Sequence, residues 1–121
     1  MGDYMLKRFT ILLFVLLLVG CGNIKSGKIS CSEKNIVIDY DNSILVDVRT
    51  NSEYNSGHID GAINIPYEDI VKGVSELEDV NLDTHIIVYC KSGGRSSKAF
   101  DSLKSAGYNN VYDLGAMSNC G

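Results

Sequence analysis

The sequence has no Trp, one Pro, two His and four Cys in 121 residues. Its twelve Gly follow no period. Collagen-like and repeat architectures are therefore excluded. Cys21, Cys31, Cys90 and Cys120 are too dispersed, and His58 and His85 too isolated, to form a paired-ligand zinc signature. No metal or organic cofactor is expected. Basic residues are also in short supply, 11 Lys and Arg against 15 Asp and Glu, for a net charge of −4. Nucleic acid is not an expected partner, because neutralising phosphates needs a basic surface. Disorder is excluded by composition, since 45% of the residues are hydrophobic and can fill a core. The length suits a single domain, and a monomer is expected.

The first twenty residues read as an address. Lys7 and Arg8 precede an apolar run from Phe9 to Val19, interrupted only by Thr10. That run is shorter than the roughly 20 residues a spanning helix needs, and it fits the apolar region of a secretory signal. It has no polar face, as an ordinary core helix would. The segment Leu18-Val19-Gly20-Cys21 resembles a bacterial lipoprotein box. The resemblance implies that residues 1–20 are removed and that Cys21 carries lipid. The expected location is the cell envelope, with the acyl chains holding the protein on its membrane. Residues 21–28 then read as a lipidated tether, and 29–121 as the domain.

Within the domain, strand and helix patterns alternate. Ile29-Ser30 is a candidate edge strand, and 32–38 fits helix or strand equally well. Ile44 to Val48 is a near-continuous apolar run ending around an acid, as in a strand buried on both faces. Thr50 or Asn51 can cap a short helix through Tyr54. Ala62 to Ile65 reads as a second buried strand, stopped by Pro66. Residues 67–77 place Ile70, Val71, Val74 and Leu77 on one helical face. His85 to Tyr89 is a third strand, with His85 solvated at its start. Residues 96–106 form a helix with Ala99, Phe100, Leu103 and Ala106 inward, ended by Gly107. Asn110 to Leu114 is the last strand. Such alternation predicts an α/β fold with a mainly parallel central sheet flanked by helices, and a site beyond the carboxyl ends of the strands.

The chemistry concentrates in Cys90-Lys91-Ser92-Gly93-Gly94-Arg95-Ser96. Cys90 follows a strand and precedes a helix. Two adjacent Gly let the backbone curl, so that successive N–H groups form a nest for an anion. The helix start adds unpaired amides and the positive end of its dipole. Arg95 adds a cation that either meets substrate or braces the loop. Together these favour an ionised, exposed Cys90 thiolate. Lys91 and Arg95 make the mouth attractive to a small anion. Four residues separate Cys90 from Arg95. Phosphatases with a comparable cradle resemble a longer, five-residue version that surrounds a tetrahedral phosphate. The shorter loop better fits one added sulfur on Cys90. The loop also has no Asp, Glu or His to protonate an alkoxide leaving group. Sulfite, by contrast, leaves without protonation.

Three segments carry a family resemblance. Asp47-Val48-Arg49, Glu53-Tyr54 and Gly57-His58-Ile59-Asp60-Gly61-Ala62-Ile63-Asn64-Ile65-Pro66 resemble the first signature of the rhodanese family. The segment from Tyr89 to Ser96 resembles its active loop, and Asn110 to Gly115 its closing strand. The resemblance implies a three-layer, single-domain thiosulfate sulfurtransferase fold with a persulfide on Cys90. Residues Lys91 to Ser96 would bind the substrate and the added sulfur. The implied donors are small sulfur-containing anions such as thiosulfate, and the implied acceptors are cyanide or a thiol. One departure is Gly115-Ala116-Met117-Ser118-Asn119-Cys120, where the family often has Gly-Gly and a Trp.

Asp47 and Arg49, at a strand end, are expected to pair and fix neighbouring loops, and His58 to be a structural hydrogen-bonder. With Cys21 lipidated, three thiols remain, an odd number. Cys120 is then a candidate resolving thiol for Cys90, which would make the protein a thiol–disulfide or persulfide relay. A third reading is a non-catalytic module that holds an anion in the cradle.

Overall fold

The computed structural model describes residues 24–73 and 80–121. The expected signal segment, Cys21, Val74 and Leu77 lie outside the described residues. The elements run β1 (Gly27–Lys28), α1 (Cys31–Val37), β2 (Ser43–Asp47), α2 (Asn51–Asn55), β3 (Ile63–Asn64), α3 (Tyr67–Lys72), β4 (His85–Cys90), α4 (Gly94–Ser105) and β5 (Asn110–Ala116). A 3-10 turn, Met117–Cys120, ends the chain. The sheet order is β1-β5-β4-β2-β3, and every pairing is parallel. The chain therefore has the expected α/β fold.

Period-two alternation along β4 explains the two cores. Ile86, Val88 and Cys90 face one side, packing with Val46, Val48, Ile70, Ala99 and Leu103. Ile87 and Tyr89 face the other, packing with Leu45, Val37, Tyr112 and Leu114. Central β4 is thus covered on both faces, as an apolar parallel strand requires. Between β4 and β5 the register shifts: Val88 pairs Asp113, but Tyr89 pairs Gly115. Leu114 is the extra residue of this bulge, and Gly115 takes a φ of +80°, which suits a residue without Cβ.

Several local expectations are corrected. Residues 32–37, left open between helix and strand, belong to a helix with Ile38 as its C-cap, and Ser30 and Glu33 form a reciprocal capping box at its start. The first strand lies at Gly27–Lys28 and not at Ile29-Ser30. Residues 24–28 are part of the domain and not a free tether. The Ile24 N–H donates to the Tyr40 hydroxyl, and the Ser26 hydroxyl donates to the Asn109 carbonyl. The strand near Ala62–Ile65 shortens to Ile63–Asn64, and Ile63 is exposed because β3 is a sheet edge. Val71 is exposed because α3 turns Ile70 to the core instead, and Ala106 is exposed because it lies beyond α4. His85 is only partly exposed. Its Nδ1 lies 2.9 Å from the Tyr112 hydroxyl and its ring meets Tyr40 edge-on, and burial lowers its pKa.

Candidate functional site

Cys90 is the last residue of β4, beneath the amino end of α4. Gly93 caps α4 in a left-handed conformation, φ +107°. That turn aims the Gly93 N–H at Cys90 Sγ, 2.9 Å away. Only Gly93 needs the freedom of glycine. Gly94 has an ordinary φ, and a Cβ there would meet open space. The expectation that both Gly serve the curl is corrected accordingly.

Burial by itself would push the Cys90 thiol up. The Ser96 hydroxyl and the N–H groups of Ser96, Gly93 and Ser92 oppose it, and the net direction is down from the ordinary thiol value. The Ser96 hydroxyl has one proton and two acceptors, since the Gly93 carbonyl oxygen is 3.1 Å away. An ionised sulfur is the stronger acceptor of the two, so ionisation draws that proton to Sγ.

The expectation of an exposed Cys90 is corrected: its relative exposure is 0%. The loop closes over the sulfur, and strand alternation turns the side chain toward the core face under α4. Lys91 and Ser92 are exposed above it.

Arg95 braces the loop. Its Nη1 donates to Glu53 Oε1 at 2.7 Å, and its Nη2 to Glu53 Oε2 at 3.1 Å. Both side chains are about 30% exposed or slightly less, at 28% and 30%. Glu53 also completes the capping box of α2, accepting from the Thr50 N–H and hydroxyl. The Arg95 hydrogen bond, then that from the Thr50 backbone, holds the Glu53 carboxyl down to about 2. The Arg95 pKa is raised, first by the hydrogen bond to Glu53 and to a lesser degree by the nearby Cys90 charge. Glu53 was visible in the sequence only as part of a motif. No local pattern shows which cation it meets 42 positions away.

The second corner is locked. Asp47 is fully buried and Arg49 nearly so. Asp47 Oδ2 accepts from Arg49 Nη2 at 2.7 Å and from the Tyr89 hydroxyl at 2.8 Å. Arg49 Nη2 also donates to the Gly57 carbonyl, and the Tyr89 hydroxyl accepts from the Ile59 N–H. The expected Asp47–Arg49 pair is therefore present, and it ties down the 57–59 loop. Burial first of all pushes the Tyr89 phenol up to about 12, so it stays a donor to Asp47. His58 stacks on Tyr54 at 3.8 Å, and its Nδ1 lies 2.9 Å from the Tyr54 carbonyl oxygen. That fits a structural hydrogen-bonder.

Cys120 is not available to Cys90. It is bonded to Cys31, which leaves Cys90 as the free cysteine among the described residues. The Cys31–Cys120 disulfide ties the C-terminal turn to the start of α1 and leaves Cys120 without a free thiol, so the resolving-thiol expectation is corrected. A cleft of about 890 Å³ runs beside the loop, with Lys91, Glu53, His58, Ile59, Met117 and Cys120 on its walls. Met117 and Cys120 thus stand in the segment where the family often has an aromatic.

The profile described as "Rhodanese-like domain" matches residues 33–118. The chain belongs to the rhodanese-like domain family. It is similar to a tRNA uridine(34) hydroxylase of Buchnera aphidicola, 36% identical over 71% of this chain but only 28% of that protein. The chain spans about a quarter of the length of the hydroxylases it matches, from 25% to 28% among several of them. It is also similar to thiosulfate sulfurtransferase 16, chloroplastic, of Arabidopsis thaliana, 42% identical over 57% of this chain and 65% of that protein. A human single-domain sulfurtransferase shares the fold, with a TM-score of 0.66 and 23% identity, over 80% of this chain and 95% of its own. This is a rhodanese-like domain with sulfurtransferase relatives.

Proposed function

We propose that this rhodanese-like domain moves a sulfane sulfur by way of a Cys90 persulfide. The Cys90 thiolate attacks the outer sulfur of thiosulfate or a similar donor. The S–S bond of the donor breaks, and sulfite leaves with the electron pair. The terminal persulfide sulfur then carries the negative charge, and the amides at Ser92, Gly93 and Ser96, which face Sγ, stand beside it to hold that charge. Cyanide or a thiolate takes that sulfur, and Cys90 returns as thiolate. Neither step needs an outside proton, oxidant or metal.

The observation that carries this reading is the Gly93 N–H at 2.9 Å from Sγ. A donor must part the loop above Cys90 to reach the buried sulfur. The 890 Å³ cleft reaches that loop at Lys91 and is far roomier than a small anion needs. It therefore suits a thiol acceptor larger than cyanide.

Intact-mass measurement tests the proposal. The wild-type chain treated with thiosulfate should gain the mass of one sulfur and lose it to cyanide. Cys90→Ser should show no gain. A wild-type mass unchanged by every sulfane donor overturns the reading.

We propose, as a further part of this reading, an envelope lipoprotein anchored through Cys21. Ile24 is held at the end of the sheet where the strands begin, since the Tyr112 hydroxyl donates to its carbonyl and Tyr40 accepts from its amide. Cys90 lies at the opposite end. An anchor at Cys21 would turn the Cys90 loop away from the membrane. Palmitate labelling lost in Cys21→Ser checks the anchor.

A further inference from the structure

We infer that Glu53 sets the charge class of reagent that Cys90 accepts: it neutralises Arg95 and so biases the site against strongly anionic sulfur donors. Glu53 is a positioning residue in this account, acting through Arg95 and not on the reacting atoms. The inference rests on the sulfur-transfer reading for its biological meaning, although its central test does not.

Arg95 is the loop's own guanidinium and carries an electrostatic interaction with Cys90. A free guanidinium there would present two parallel N–H groups to an incoming oxyanion. Glu53 already occupies both arms, with one carboxylate oxygen on each. It thereby takes the two N–H groups that an oxyanion would otherwise engage. Glu53 is not free to swing aside, because the Thr50 amide and hydroxyl hold the same Oε1 that accepts from Arg95. A helix cap therefore fixes the carboxylate against the active-loop cation. Lys91 remains as the exposed cation of the loop. Attraction for a dianion such as thiosulfate is correspondingly weaker than the Cys90–Arg95 spacing implied. A donor of low charge, such as an organic polysulfide, loses nothing.

Iodoacetate and iodoacetamide alkylate a thiolate by the same chemistry and differ in charge. The full chain is first stripped of sulfane sulfur with cyanide, and the adduct is located on the Cys90 peptide by mass. The quantity read is the iodoacetate-to-iodoacetamide rate ratio at low salt. Glu53→Gln keeps an oxygen for the Thr50 amide while removing the charge, and should raise the ratio by about three- to tenfold. The rise should shrink in 1 M salt, where screening reaches within about 3 Å. Arg95→Gln uncovers the carboxylate and should lower the ratio, so either variant decides if the other fails to fold. With thiosulfate as donor, Glu53→Gln should lower KM more than it changes kcat. A ratio that stays at the wild-type value in the folded variants overturns the inference. Absence of any persulfide in the wild type would overturn the sulfur-transfer reading instead, and the alkylation ratio would still be readable.

Discussion

Two arginine–carboxylate pairs stand near the carboxyl edge of one sheet, and they do different work. Asp47–Arg49 is buried, with side-chain exposures of 0% and 8%. The pair is drawn into a network with Tyr89, Gly57 and Ile59. Glu53–Arg95 is equally short at 2.7 Å, but about 30% of each side chain meets solvent. A buried pair that loses one partner strands a charge in a low-dielectric interior, whereas an exposed pair yields to water and salt. The first corner therefore supports the fold, and the second tunes a reactive loop.

The largest effect should come from Arg49→Met. It leaves the Asp47 carboxylate buried with fewer partners and should cost about 3–5 kcal/mol in urea denaturation. A cost under about 1 kcal/mol would erase the distinction between the corners. Tyr89→Phe removes one donor to Asp47 and the acceptor of the Ile59 amide. A loss of about 1–3 kcal/mol is expected, with Cys90 alkylation rates little changed. Within the loop, Gly93→Ala must hold a left-handed residue and should cost about 1–2 kcal/mol, while slowing persulfide formation. Gly94→Ala, with room for its Cβ, should fall within about 1 kcal/mol of wild type, and equal losses at the two positions would refute the assigned turn.

Glu53→Gln should cost at most about 1 kcal/mol, by the ordinary worth of an exposed pair. Its pH dependence has a definite sign. The Glu53 carboxyl lies at about 2 in the folded state, below its usual 4.5. The pair's contribution is therefore full above pH 4.5 and is lost as pH falls toward 2. The wild-type minus Glu53→Gln stability difference, measured across that window, should shrink on acidification. The thiol offers the opposite kind of check. The Cys90 pKa is lowered despite burial, with the Ser96 hydroxyl the foremost group lowering it, so Ser96→Ala should shift the alkylation profile to higher pH.

Much of this was legible one residue at a time. β4 is visible because four apolar or aromatic residues follow His85 before Cys90, and α4 because Ala99 and Leu103 keep helical spacing. Cys90, placed between them, had to stand at a strand end. The exposures of Val71 and Ile63 were not legible. Each depends on whether a neighbouring element arrives to cover it, and β3 proved to be an edge. His85 likewise looked solvated until Tyr112 and Tyr40 closed on it from other parts of the chain.

By itself the order of residues determined the alternation of strands and helices, the loop after Cys90, and the supply of amides around it. Those features depend on contacts within a few positions, which the chain encodes locally. Only the tertiary structure decided that Cys120 bonds Cys31 across 89 positions, that Glu53 takes Arg95, and that the loop hides its own sulfur. Such pairings follow from which elements the parallel sheet places side by side, and no local pattern carries that distance.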